Sequence, residues 1–347
     1  NGSFGGPAYY IEDALHNKFM AGLFAAALIA TYGAGFNMLC AYNLQSTFAV
    51  YSFYDKGITP WIIGAVLAVV VGWCLFGGGR RVIKVTGVLV PIMGGVYVVV
   101  ALLVTLMNIG NVPGVIATIL SEAFDFQAIF GGFMGSCVMF GIKRGLYSNE
   151  AGVGSAPNAA AAADVSHPVK QGLVQMFSVF IDTIILCTAT ALMCMTSGIA
   201  PTKEIAGAMF VQKSLEASLG GFASVFITFS MLLFAFTTLL GNLYYVDNCL
   251  AYLNGGKEPC ACFMRSYRIV ASVLIMIGAA SPMGLMWDLA DVLMGIMAII
   301  NLPVICILAA PALKALEDYV DQRKAGRNPV FKAATVGLEG KVDYWQD

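Results

Sequence analysis

Residues 220–252 read GGFASVFITFSMLLFAFTTLLGNLYYVDNCLAY, and only one of them, Asp247, carries a charge. A bilayer core is crossed by roughly 20 apolar residues in helical form. The apolar residues run on without alternating, the pattern of a helix and not of a barrel strand. Seven further runs of the same kind lie at roughly 19–48, 60–77, 85–108, 112–141, 170–197, 266–281 and 285–311. The composition agrees. Of 347 residues, 59% are apolar and 11% charged, against roughly 45–50% and about 25% in soluble domains; the mean hydropathy is +0.80. The fold class expected is an all-α membrane protein with eight transmembrane helices. A soluble enzyme and a disordered chain are excluded. The net charge of −1 offers no basic field for nucleic acid.

The loops test the span count by charge. Alternating them from residues 1–18 places sixteen of the nineteen Lys and Arg on one side, including Arg80, Arg81, Lys84, Lys143, Arg144 and the basic residues after Lys314. Lys56, Lys203 and Lys213 fall on the other. This bias marks the first side as cytoplasmic, so both ends of this chain face the cytoplasm of a multi-pass protein of the plasma (inner) membrane. Residues 1–311 read as one transmembrane domain and 312–347 as a cytoplasmic tail, helical from Leu313 to Lys324 and loosely ordered beyond. The chain opens on Asn1, and NGSFGGPAYY reads like the interior of a longer protein; the expectation is that the natural N-terminus is absent.

Polar groups inside the runs are few. Gly131-Gly132-Phe133-Met134-Gly135-Ser136 sits near mid-membrane in 112–141. It reads as close packing of small residues or as a helix broken to line a cavity, the way secondary transporters hold carboxylates and cations. Asp182, about 18 Å into its run at 1.5 Å per residue, is either a site carboxylate or one held structurally by hydroxyls such as Ser178 or Thr183 or by a partner helix. Thr237 and Thr238 either bond back to their own turn or offer oxygen to Na⁺. Thr238, Asn242 and Tyr245 form a polar stripe on one helix face. His16 and His167 are the only histidines, and the nine Cys have no framework spacing. Neither a metal, a cofactor nor enzyme chemistry is expected. Ser148–Pro168 reads as a structured cytoplasmic loop at the inner gate.

Residues 141–191, GIKRGLYSNEAGVGSAPNAAAAADVSHPVKQGLVQMFSVFIDTIILCTATA, closely resemble the signature region of the alanine or glycine:cation symporter family (sodium:alanine symporters, amino acid carrier proteins). Gly5–Glu12 is similar to that family's GGPMYYIE, and Leu232–Tyr245 to its LLFAFTTxxGWxYY. The resemblance implies a leucine-transporter-like inverted-repeat fold of eleven helices, three of them missing from the N-terminal side of this chain. It makes 112–141 the broken first helix of the second repeat. It implies Na⁺- or H⁺-coupled uptake of a small neutral amino acid such as alanine or glycine by alternating access, with the substrate, a monovalent cation and the lipid bilayer as partners. Substrate contacts would be Ile129, Gly132, Phe133 and Thr238, and the Na⁺ ligands Thr237 and Thr238.

Two departures stand out. Asn242 replaces the family's Trp. The family's GNMVQxNS is GFNMLCAYNLQS here, which places Cys40 at the Gln position in an ungapped fit and Gln45 there in a slipped one. Both departures suggest a pocket of different size and polarity, so a larger or more polar amino acid is the alternative substrate. A non-transporting, channel-like membrane protein is the other rival.

Overall fold

Hydrocarbon offers no partner for a free N–H or C=O, so apolar runs close their hydrogen bonds within the segment as helix. The computed structural model describes residues 5–76, 79–125, 137–202, 205–339 and 345. Among them there is no strand. α1 (Pro7–Leu15) leads to α2 (Lys18–Ala30), whose Asn17 cap accepts the Met20 N–H at 3.0 Å. α2 passes through a π-helical segment, Thr31–Gly35, into α3 (Phe36–Ser46). Then follow α4 (Thr59–Phe76), α5 (Gly79–Met107), α6 (Val112–Ala123), α7 (Cys137–Asn149) and the short α8 (Ala156–Ala160). α9 (Pro168–Phe180) enters a second π-helical segment, Ile181–Leu186, and continues as α10 (Cys187–Thr196). α11 (Ala208–Leu219), α12 (Phe222–Leu253), α13 (Ala261–Ala279), α14 (Met283–Ile307) and α15 (Ala309–Lys324) complete the order.

Seven segments of the described residues are long and apolar enough to cross a membrane: Lys18–Val50, Thr59–Phe76, Gly87–Met107, Pro168–Thr196, Phe222–Leu253, Ala261–Ala279 and Met283–Ile307. Each matches one of the eight expected runs. The remaining run, 112–141, is represented by α6 and α7 with residues 126–136 outside the described residues, so an eighth continuous span is not part of the described structure. α7 also continues past the expected end at 141 to Asn149. Its Arg144 bonds Asp291 of α14 at 2.6 Å and lies 4.3 Å from the Trp287 ring. Ion pair and cation–π contact hold a basic stretch in helical form beside a span.

The core forms where α13 crosses α3 and α4, and where α12 and α14 close on α2 and α3. Leu44, Leu67, Val71, Leu239, Leu243 and Ile275 fill one cluster; Phe24, Leu28, Tyr32, Met286 and Met297 belong to a second. A Cβ on Gly278 would overlap the Met38 backbone, so α13 touches α3 backbone to backbone, the small-residue contact of membrane helices. Outward faces carry Trp73, Val69, Phe229 and Ile299, all exposed. An apolar surface of this extent needs a lipid or protein cover.

The tail departs from the loosely ordered segment expected after Lys324. Residues 328–331 fold back on the start of α9. Phe331 N–H donates to Ser166 O at 2.9 Å, Ser166 Oγ to Pro329 O at 2.9 Å, and Lys170 Nζ to Asn328 Oδ1 at 2.8 Å. The fully buried His167 ring packs edge-on against Tyr319 and Phe331, with Nε2 3.2 Å from Asp318. The physical reason is a small apolar cluster of Ala315, Phe331 and Val336, joined by Val169, Leu338 and Trp345, which a solvated tail would leave in water.

Candidate functional site

The hydroxyl stripe on α12 is real but divided. Thr237 Oγ1 donates back to Leu233 O and Phe234 O, both at 3.0 Å. Its own turn therefore takes its proton and leaves its lone pairs to accept or to coordinate. Thr238 is exposed, whereas Asn242 one turn on is buried. Asn242 bonds across to a neighbouring helix: its Nδ2 donates to Oδ1 of Asn37, a fully buried residue of α3, at 2.9 Å. Asn37 was not singled out from the sequence. Its signal is a carboxamide in a transmembrane run, one of three in α3 with Asn43 and Gln45.

The two fits of GFNMLCAYNLQS land in different places. Cys40 Sγ donates to Ala235 O of α12 at 3.6 Å, two residues before Thr237. Gln45 is buried at the far end of α3, where its Oε1 accepts from Tyr54 OH at 2.9 Å. Ile129, Gly132 and Phe133 lie outside the described residues.

Asp182 lies in the π-helical segment between α9 and α10, where one turn widens and presents its side chains off the regular register. Its Oδ2 accepts from Ser148 Oγ of α7 at 2.5 Å. Next to it, Asn149 Nδ2 donates to Thr183 Oγ1 at 3.1 Å. The expected hold was Ser178, Thr183 or a partner helix. Ser178 instead bonds its own turn at Gln175 O, so the carboxylate is held from the neighbouring helix.

Directly after Ser148 and Asn149 comes Glu150, which the sequence reading passed over. It ends α7 in a left-handed conformation, φ 52°. Glycine is the usual residue there because a Cβ is unfavourable. The buried Ser155 donates its Oγ–H to Glu150 Oε2. The fully buried Tyr32, from the first π-helical segment, faces both, and its hydroxyl has no hydrogen bond of good geometry. Burial holds the Glu150 carboxyl above its ordinary pKa, with Asp182 pushing the same way; the Ser155 hydrogen bond and the nearby Tyr32 hydroxyl oppose this only in part.

From there residues 151–158 run between helix ends. Asn301 of α14 donates to Gly152 O at 2.8 Å and accepts from Tyr10 OH at 2.5 Å. Asn158 donates to Gly154 O at 3.0 Å, and its Oδ1 accepts from Asn248 of α12 at 2.9 Å. The second Asn248 contact is to Gly5 O. Gly154, φ +101°, passes Phe24 so closely that a Cβ would lie 2.7 Å from its Cζ. One loop thus ties α1, α12 and α14 together, a structured segment between helix ends.

The model of the sodium:alanine symporter family matches residues 1–333. The chain is 40% identical over 343 residues to the amino-acid carrier protein AlsT of Bacillus subtilis (strain 168), covering 99% of this chain and 72% of that protein. It is 39% identical over 346 residues to the probable sodium/glutamine symporter GlnT of the same strain, covering 99% and 70%. A sodium/proton-dependent alanine carrier protein of Bacillus sp. (strain PS3) is 36% identical over 305 residues, covering 84% and 68%. The chain belongs to the sodium:alanine symporter family.

Proposed function

We propose that this chain is a secondary active transporter that carries a small neutral amino acid, alanine or glycine first, into the cell with Na⁺ or H⁺. Family membership across residues 1–333 carries the reading. Transport proceeds by alternating access. Substrate and cation each bind one closed state more tightly than the other states, so each raises the affinity of the other. Neither a cofactor nor bond-making chemistry is required. The architecture we favour is the leucine-transporter-like inverted repeat with eight spans in this chain, in which 112–141 is the broken first helix of the second repeat. Residues 1–311 lie in the plasma membrane, and both ends of this chain and the 312–347 tail are cytoplasmic. The lysine and arginine asymmetry supports that orientation.

Thr237 and Thr238 are the Na⁺ ligands in this reading. Thr238, Cys40 and the 129–133 stretch (Ile129, Gly132, Phe133) contact the substrate, with Gln45 as the alternative to Cys40. Asn242 favours a second substrate reading, a larger or more polar amino acid. A carboxamide where the family carries an indole leaves space near the site, and the Asn37–Asn242 pair supplies donors and acceptors beneath it. The name of the GlnT relative is consistent with that reading.

One experiment decides between these readings. The full-length protein that carries this chain is reconstituted in liposomes and given radiolabelled alanine, glycine, serine and glutamine under an inward Na⁺ gradient, an inward H⁺ gradient or neither. Saturable, gradient-dependent accumulation is expected, strongest for alanine or glycine. Preference for glutamine selects the second substrate reading. Uptake without saturation or cation dependence would mean a channel-like protein.

A further inference from the structure

Glu150, like Asp182, differs from the carboxylates that meet this protein's interior beside an arginine. Asp247 and Asp291 face Arg268 and Arg144. Glu150 makes no ion pair among the described residues, and its bonded neighbour is the Ser155 hydroxyl. The other titratable groups that face it are Tyr32 of the first π-helical segment, Asp182 of the second, Tyr245 of α12 and Tyr147 of α7. None of them is a cation. Glu150 is half-buried, and a carboxylate partly withdrawn from water with no cation bonded to it is costly, so the cheaper course is to take up a proton. The left-handed backbone adds a second argument. At a position that glycine fills without strain, a Glu is useful only for its carboxyl group. Two π-helical segments, frequent at functional sites, supply the Tyr32 and Asp182 side chains that face it.

We propose that Glu150 binds the proton in a proton-coupled transport cycle, loading it while the 150–158 loop is docked and releasing it to the cytoplasm when the loop lifts. This rests on the cation-coupled uptake proposed above. The balance is simple. In the docked state a Glu150 carboxylate oxygen takes H⁺ that has entered from outside and becomes a neutral acid. When the loop lifts, the O–H bond breaks, the proton passes to cytoplasmic water and the carboxylate is hydrated. The sign follows from burial. The docked state raises the affinity of Glu150 for protons above that of the hydrated state, so protonation favours docking and docking weakens as cytoplasmic pH rises. A proton thus enters with the inner gate shut and leaves with it open, the order an inward symporter needs.

The test uses the full-length protein that carries this chain, in liposomes with an alkaline lumen and radiolabelled alanine, glycine or glutamine, without Na⁺. With one proton per substrate, accumulation rises about tenfold per pH unit of gradient, because each tenfold corresponds to about 1.4 kcal/mol. In Glu150→Gln the ratio of accumulation with and without the gradient falls to one. Tyr32→Phe keeps the carboxylate and removes a hydroxyl that favours its charged form, so the midpoint of the dependence on luminal pH moves up. This variant also decides the matter if Glu150→Gln does not fold. Accumulation in Glu150→Gln that still follows the pH gradient overturns the proposal. So does a Tyr32→Phe midpoint that stays or falls. Na⁺-driven uptake with no pH-gradient effect in the unaltered chain overturns it while leaving the transporter reading in place. Failure of every gradient to drive uptake removes that reading as well.

Discussion

Where α13 crosses α3, Gly278 lies against the Met38 backbone, and the cluster containing Ala41, Leu44 and Ile275 adjoins the crossing. Where residues 150–158 enter between α1, α12 and α14, the ties are carboxamides and hydroxyls: Asn301 to Gly152, Asn158 to Asn248, Ser155 to Glu150. These two kinds of contact behave differently when separated. Apolar surface pulled apart has nothing to gain from water. A carboxamide exchanges one partner for a water molecule at a net loss of only about 0.5–1.5 kcal/mol. The first region therefore forms a fixed frame, and the second can open and shut within a transport cycle.

That contrast can be broken most severely at Gly278. Gly278→Val places two methyl groups against a backbone that cannot move aside, so the frame should lose about 3 kcal/mol or more. The expected reading is poor recovery of folded protein and a melting temperature far below that of the unaltered chain. Normal melting would mean the helices have more room than their crossing suggests.

Thr237→Val combined with Thr238→Val comes next. The volume is kept and two oxygens are lost. Na⁺-driven uptake should disappear while the melting temperature stays close to that of the parent. An unchanged Na⁺ dependence removes these threonines from the cation site.

A milder change sharpens the contrast from the other side. Asn301→Ala cuts the ties to Gly152 and Tyr10 and leaves buried polar groups unpaired, costing about 1–3 kcal/mol locally. Amide hydrogen exchange should rise across 150–158 and stay unchanged in α13. Equal acceleration in both would show that frame and loop open as one unit.

The smallest effect is expected from Asp182→Asn. Asn keeps an oxygen to accept from Ser148, so a modest fall in melting temperature, with cation dependence intact, is the outcome for a carboxylate that positions α7. Loss of coupling at normal stability would move Asp182 into the cation pathway.

Much of the helical order was legible because one physical demand, closing backbone hydrogen bonds in hydrocarbon, writes long uncharged runs into a sequence. The runs near 19–48 and 220–252 are matched by Lys18–Val50 and Phe222–Leu253 to within a few residues. The site was less legible. Thr237 could be read as a back-bonded hydroxyl and is one. But the i, i+4 rule that aligns Thr238 with Asn242 says nothing of what lies over each, and one is exposed while the other is buried under α3. Glu150 carried no local signal, because its importance comes from Tyr32, 118 residues earlier in the chain. The docked tail was missed for a related reason. Phe331 and Trp345 look like isolated aromatics until His167 is placed between Phe331 and Tyr319.

The docked tail also sets an order of events at the ribosome. Ser166, which receives the Phe331 amide, is synthesised 165 residues before it. At about 5–20 residues per second, the start of α9 waits roughly 10–30 s with its hydrogen-bonding groups and the His167 ring uncovered. During that interval α12, α13 and α14 are inserted. Seating of residues 328–331 is then among the last steps of maturation, and a chain stalled before Phe331 would expose an unfilled seat that quality-control proteases can recognise.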